Sequence, residues 1–174
     1  MCTELTPWDE AVKFHGHSCP GLAIGYRAAE IALRELGVNR SGDEELVAIV
    51  ENDSCAVDAI QSLTGCTFGK GNFFFRDHGK QVYTIGSRKN GQAVRIAVKG
   101  AELKHGPEDK LERIQRLLSL PQEEFCTFTK VNLEFPALAR IHKSVECSEC
   151  GEPVMETRAR VKDGKPVCIP CAGV

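Results

Sequence analysis

The hydrophobic and polar positions of the chain change period several times, and each change marks an element. Leu22, Tyr26, Ala29, Leu33 and Leu36 recur at helical spacing between Pro20, suited to a first helical position, and Gly37, a C-terminal stop. A polar connection from Asn39 to Glu44 leads to Leu46-Val47-Ala48-Ile49-Val50, a continuous apolar run that predicts a buried strand. Asp53 or Ser54 is placed to cap a second helix, from about Ala56 to Leu63, closed by Gly65. Phe73 to Arg76, Gln81 to Ser87 and Gln92 to Val98 read as three strands, joined by turns at Asp77-His78-Gly79-Lys80 and Lys89-Asn90-Gly91.

Helix, strand, helix and antiparallel meander together predict an α+β fold, a two-layer core domain of α-β-α-β-β-β order with helices on a mixed or antiparallel sheet. Beyond it, Pro107 opens a charged helix, Glu108 to Leu120, with Leu111, Ile114, Leu117 and Leu118 on one stripe, and Pro121 ends it. Phe125 to Phe135 alternates imperfectly, as an edge strand does, and Pro136 to Lys143 reads as a linker or short helix. The expected boundaries are 1–136 for the core domain and 137–174 for a linker and a small C-terminal zinc ribbon.

Composition narrows the function classes. A length of 174 residues suits one ordinary domain with a small appendage. A formal charge of −2 with 26% charged residues shows no basic surplus, which argues against broad nucleic-acid binding. Met1 to Ala11 is acidic and has neither a basic start nor an apolar run, and no later stretch has the length of a membrane span. The expectation is a soluble, cytoplasmic protein. Nine cysteines, an odd number and several in Cys-x-x-Cys spacing, read as reduced thiols holding metal rather than as disulfides.

Two knuckles, Cys147-Ser148-Glu149-Cys150 and Cys168-Ile169-Pro170-Cys171, stand 17 residues apart. Each short turn lets both sulfurs face one ion, and four cysteines give the closed tetrahedral site of a structural zinc. Between them Arg158 to Val161 and Lys165 to Val167, joined across Asp163-Gly164, form the hairpin of a zinc ribbon. So small a module has too little core to fold alone, so the metal supplies much of its folding energy. Arg158, Arg160, Lys162 and Lys165 are explained more simply as solvated hairpin charges than as a nucleic-acid surface.

A second constellation lies near the start, in Phe14-His15-Gly16-His17-Ser18-Cys19-Pro20-Gly21. His17 and Cys19 are two apart, so in an extended segment both side chains leave the same side of the backbone and can share one metal. Cys19 sits at a helix N-terminus, where unpaired N–H groups favour a thiolate. Gly21 and Gly25, four apart, imply that something packs close to the first turns of that helix. Cys55, after Glu51-Asn52-Asp53-Ser54, is another thiol at a helix start, just past the carboxyl end of a buried strand. The glycine-rich loop Leu63 to Asn72, with Cys66 and Lys70, lacks the spacing of a phosphate loop, and Cys126 shows no ligand spacing.

Those two helix starts, together with Asp58-Ala59-Ile60-Gln61, the segment Thr64-Gly65-Cys66-Thr67-Phe68-Gly69-Lys70-Gly71-Asn72 and the terminal ribbon, resemble the FmdE family of formylmethanofuran dehydrogenase components. The resemblance implies homodimers, a core metal site of His17, Cys19 and Cys55, and a ribbon zinc at Cys147, Cys150, Cys168 and Cys171. Cys66 and Asp58 are implied as neighbours of the core metal, a divalent ion and by its donors zinc, while His15 and Lys70 match without an assigned role. A molybdenum or tungsten pterin and iron–sulfur clusters belong to other components of such a dehydrogenase, and no cluster-type cysteine run is present here. The functional expectation is therefore a metal-binding accessory or regulatory protein, with molybdenum or tungsten dehydrogenase subunits as partners. The alternatives are a small stand-alone metalloenzyme, or a protein handling metal or sulfur through an open core metal position.

Overall fold

Thr6 accepts a hydrogen bond from the Asp9 backbone while the Asp9 carboxylate accepts from the Thr6 N–H, and this capping box starts a helix that hydrophobic spacing does not announce. That helix, α1 (Pro7–His15), stops at Gly16, which adopts φ 95°. The structure, a computed structural model, describes residues 5–100 and 108–173, and the chain divides into two compact units, Met1–Leu138 and Ala139–Val174.

The first unit follows with α2 (Pro20–Leu36), β1 (Leu46–Val50), α3 (Ala56–Thr64), a short 3-10 turn (Phe68–Lys70), β2 (Phe73–Phe75), β3 (Val82–Ser87), β4 (Gln92–Val98), α4 (Lys110–Ser119), α5 (Gln122–Phe125) and β5 (Cys126–Val131). The five strands form one mixed sheet in the order β2-β1-β3-β4-β5. Leu46, Ala48, Val50, Tyr83, Ile85, Val94 and Ile96 turn to one face and bury against Ala23, Ile31, Ala32, Ile60, Ile114 and Leu117 of the helices. On the opposite face Gly86 is covered by Leu133 and Phe135, whose atoms lie 2.7 and 2.8 Å from where a Cβ would stand. This is the expected two-layer α+β architecture.

Several details differ from the expectation. β2 pairs parallel with β1, and β3 joins the other side of β1, so Asp77 to Lys80 is a crossing segment rather than a hairpin turn. The α3 crossover between β1 and β2 is what permits parallel pairing. The expected Asp53 or Ser54 cap of α3 is not made, because Ser54 gives both its N–H and its hydroxyl to Asn52 Oδ1, and Cys55 takes the cap position. Leu111 is exposed rather than part of the α4 stripe, where Arg113, Ile114 and Leu117 are buried. Asp109, in a capping box with Glu112, starts α4, and Pro107 lies outside the described residues. The Gly21 and Gly25 face of α2 is occupied by α3: a Cβ at Gly25 would stand 2.0 Å from the Ala56 carbonyl oxygen. That face therefore gives no support to a dimer.

The second unit contains two hairpins, β6 (Ser144–Glu146) with β7 (Pro153–Met155), and β8 (Arg160–Lys162) with β9 (Lys165–Val167), then α6 (Ile169–Ala172). The β8–β9 turn places Asp163 at φ 51° and Gly164 at φ 75°, the two left-handed positions of a tight hairpin. The β6–β7 hairpin around the first knuckle adds to the single hairpin that the sequence predicts.

Candidate metal centre

In the second unit the sulfurs of Cys147, Cys150, Cys168 and Cys171 all lie within 4.8 Å of one another. Cys150 Sγ and Cys168 Sγ are 3.9 Å apart, and the Cys168 N–H donates to Cys147 Sγ over 3.3 Å. Backbone donors from Cys150 and then Cys168 lower the Cys147 thiol to about 6. Four thiols with N–H groups aimed at sulfur suit a structural zinc, which needs deprotonated ligands and a closed tetrahedron. The hairpin cations are engaged locally: Lys162 pairs with Glu149 at 2.7 Å and donates to the Cys171 carbonyl, and Arg160 donates to the carbonyls of Arg158 and Ala159.

In the first unit two helices begin with cysteine. Cys19 caps α2, its sulfur accepting from the Leu22 N–H at 3.3 Å, and Cys55 stands at the same position of α3. Their meeting is permitted by Gly21, where a Cβ would lie 3.1 Å from Cys55 Cβ, 3.8 Å from Cys55 Sγ and 3.9 Å from Cys19 Sγ. α1 delivers His15 to the same place, and Trp8 edge-on to Tyr26, with ring centroids 5.3 Å apart, fixes α1 against α2. After the left-handed Gly16 the chain reverses and brings His17 back, its ring centroid 4.6 Å from that of His15.

One donor atom each from His15, His17 and Cys19 fall within 4.8 Å of one another. His15 Nε2 is 3.7 Å from Cys19 Sγ, while His15 Nδ1 is 2.7 Å from Asp58 Oδ2. A carboxylate accepts, so Nδ1 carries the proton and Nε2 turns its lone pair to the cluster, the arrangement that orients metal-binding histidines. Cys55 is exposed and borders the trio without entering it. Partial desolvation, then the adjacent Cys19 thiol, raise the Cys55 thiol above its ordinary value. The donor set suits a divalent ion of borderline softness.

Of the residues the sequence singles out, His17 and Cys19 are thus brought together, Cys55 lies at their edge, and Asp58 acts through His15. His15 has no role assignable from sequence because its contribution depends on α1, whose signal is a capping box rather than an apolar stripe. Cys66 is buried in the hydrophobic core, which pushes its thiol up to about 11, and is not among the grouped donors. Lys70 donates to the carbonyls of Gly42 and Asp43, and Cys126 is buried.

Behind Cys55, the segment from β1 to α3 is held rigidly. Asn52 Nδ2 donates to the Lys80 carbonyl at 2.6 Å and to the Tyr83 hydroxyl at 3.4 Å, and burial drives the Tyr83 phenol up to about 12. Burial alone would raise the neighbouring Glu51 carboxyl, but His78 and Arg95, at 3.1 and 3.2 Å, hold it below its ordinary value. A cleft of about 320 Å³ opens beside His15 and Cys55.

An α+β unit with a polar donor cluster at converging helix starts, followed by a four-cysteine ribbon, defines a class of two-unit proteins built to hold metal. The family model described as FmdE, molybdenum formylmethanofuran dehydrogenase operon, matches residues 14–127, and that of the prokaryotic DksA/TraR C4-type zinc finger matches residues 141–174. The chain belongs to the FmdE family. A probable S-adenosyl-L-methionine-binding protein of Archaeoglobus fulgidus is 34% identical over 193 aligned positions, covering 94% of this chain and 51% of that protein. The chain thus spans about half the length of the curated relative it matches. A solved FmdE-like protein of tungsten formylmethanofuran dehydrogenase type, from Syntrophus aciditrophicus, has the same fold, with a TM-score of 0.66 at 24% identity, over 95% of this chain and 89% of that one. Among the described residues no helix is long and apolar enough to cross a membrane.

Proposed function

We propose that the chain is a metal-binding accessory or regulatory protein of a molybdenum- or tungsten-dependent formylmethanofuran dehydrogenase, working as a cytoplasmic homodimer. In this reading the core unit carries a divalent ion, zinc by its donors, at His17, Cys19 and Cys55 with His15 as a further donor, and the ribbon carries zinc at Cys147, Cys150, Cys168 and Cys171. The observation that carries it is the convergence of His15, His17 and Cys19 within 4.8 Å, with Asp58 behind His15. Such an arrangement is hard to explain as packing, since two imidazoles and a thiol gain little from one another without an ion.

A second reading, a stand-alone metalloenzyme or a metal- or sulfur-handling protein, is favoured by the cleft that reaches His15 and the exposed Cys55. A bound ion there would supply Lewis acidity. His15 would be held in one tautomer by Asp58, and Cys55 would be the donor free to leave the ion for an incoming ligand. The name of the Archaeoglobus relative adds S-adenosyl-L-methionine as a compound to titrate.

Cobalt substitution of the full chain tests the metal reading. Thiolate-to-metal bands should arise from both clusters, and Cys168→Ser should remove the ribbon bands while leaving those of the core. A Cys168→Ser protein with no cobalt bands would contradict the core site. Co-purification of dehydrogenase subunits with the tagged chain separates the accessory reading from the stand-alone one.

A further inference from the structure

The cleft at the edge of the core cluster has a composition that selects its occupant. Its apolar wall is Val50, Val57 and Phe73, and Phe75 stands at the mouth with half its surface exposed. Its polar side carries the carboxylates of Asp53 and Asp58, and among the described residues no lysine or arginine lines it. Arg76 and Lys80, which follow Phe75 in the chain, are exposed and lie outside the lining. Asn52 is committed to Lys80, Tyr83 and Ser54, and Asp58 to His15. Asp53 has no such partner and is exposed.

Two thiolates, from Cys19 and Cys55, cancel the charge of a bound divalent ion, and neutral imidazoles add none, so Asp53 and Asp58 set the sign of the cleft. An anion entering it would meet two carboxylates and no compensating cation. A cation meets a carboxylate on one side and the negative face of an exposed aromatic ring on the other. The apolar wall accommodates alkyl groups.

We propose that this cleft binds a small organic cation, an alkylammonium or sulfonium group, with its alkyl part against Phe73 and Val57 and its charge between Phe75 and Asp53. The proposal rests on the metal reading above only for the charge balance at Cys19 and Cys55.

The test is calorimetric titration of the cobalt-loaded full chain with propylammonium, tetramethylammonium and trimethylsulfonium, against propionate and phosphate at matched ionic strength. The cations should bind saturably and the anions should not. Phe75→Leu, which keeps the apolar volume but removes the ring, should weaken the cations on the order of threefold. Asp53→Asn should also weaken them, and dimethyl sulfide, the neutral counterpart of the sulfonium, should bind less tightly than trimethylsulfonium. Neither substitution touches a proposed metal donor, so the cobalt bands report whether the core remains intact. Core cobalt bands with no cation heat, or with anion binding, overturn the proposal. Absent core bands together with cation binding that depends on Phe75 and Asp53 would overturn the metal reading and uphold the cleft.

Discussion

Asp58 on α3 holds His15 at the end of α1 through a 2.7 Å contact between Oδ2 and Nδ1, across 43 residues of sequence. It is the link by which one helix orients a donor that another helix supplies. Asp58→Asn removes the anionic acceptor while keeping the shape, and substitutions behind a metal-binding histidine cost roughly 10- to 100-fold in affinity. We expect a loss of that size at the core cluster, measured by chelator competition, with ribbon affinity unchanged.

Gly25 governs how closely α2 and α3 approach. A methyl group there would meet the Ala56 carbonyl oxygen at 2.0 Å, a backbone atom that cannot rotate away. Gly25→Ala should therefore destabilise the first unit by about 3 kcal/mol or more, at the upper end of overpacking costs. Urea unfolding measures it. The same displacement would move Cys55 from Cys19, so core metal affinity should fall with stability.

Acid stability should depend on Glu45. Hydrogen bonds from the Ser41 hydroxyl and the Asp43 N–H lower its carboxyl to about 2 from an ordinary 4.5. Because the folded value lies below the unfolded one, the contribution is complete above about pH 4.5 and disappears as pH falls toward about 2. The stability difference between wild type and Glu45→Gln, followed by urea midpoints, should be constant above that window and shrink within it. A difference that grows on acidification would contradict this.

Much of this architecture is legible in the sequence where local signals and tertiary packing agree. Pro20 and Gly37 bracket α2, the apolar run Leu46–Val50 is β1, and Asn90-Gly91 turns β3 into β4. Pairing is not legible, since strand periodicity says which face is buried but not which neighbour is chosen. Phe73–Phe75 looks alike as a meander strand or as the parallel edge partner it is. The core cluster is half legible for a related reason. Spacing joins His17 to Cys19, but His15 and Asp58 meet only because Gly16, Gly21 and Gly25 let three helix ends converge, and that convergence is a property of packing.

The central claim, that His15, His17, Cys19 and Cys55 form a metal site separate from the ribbon, is tested most directly by metal content and release kinetics of the full chain. Wild-type protein should release metal to a chelator in a fast class from the core, whose edge is open, and a slow class from the closed ribbon. The Cys19→Ser, His17→Ala double variant should keep the slow class and lose the fast one. Retention of both classes in that variant, or a wild-type protein holding metal in the ribbon alone, would contradict the account.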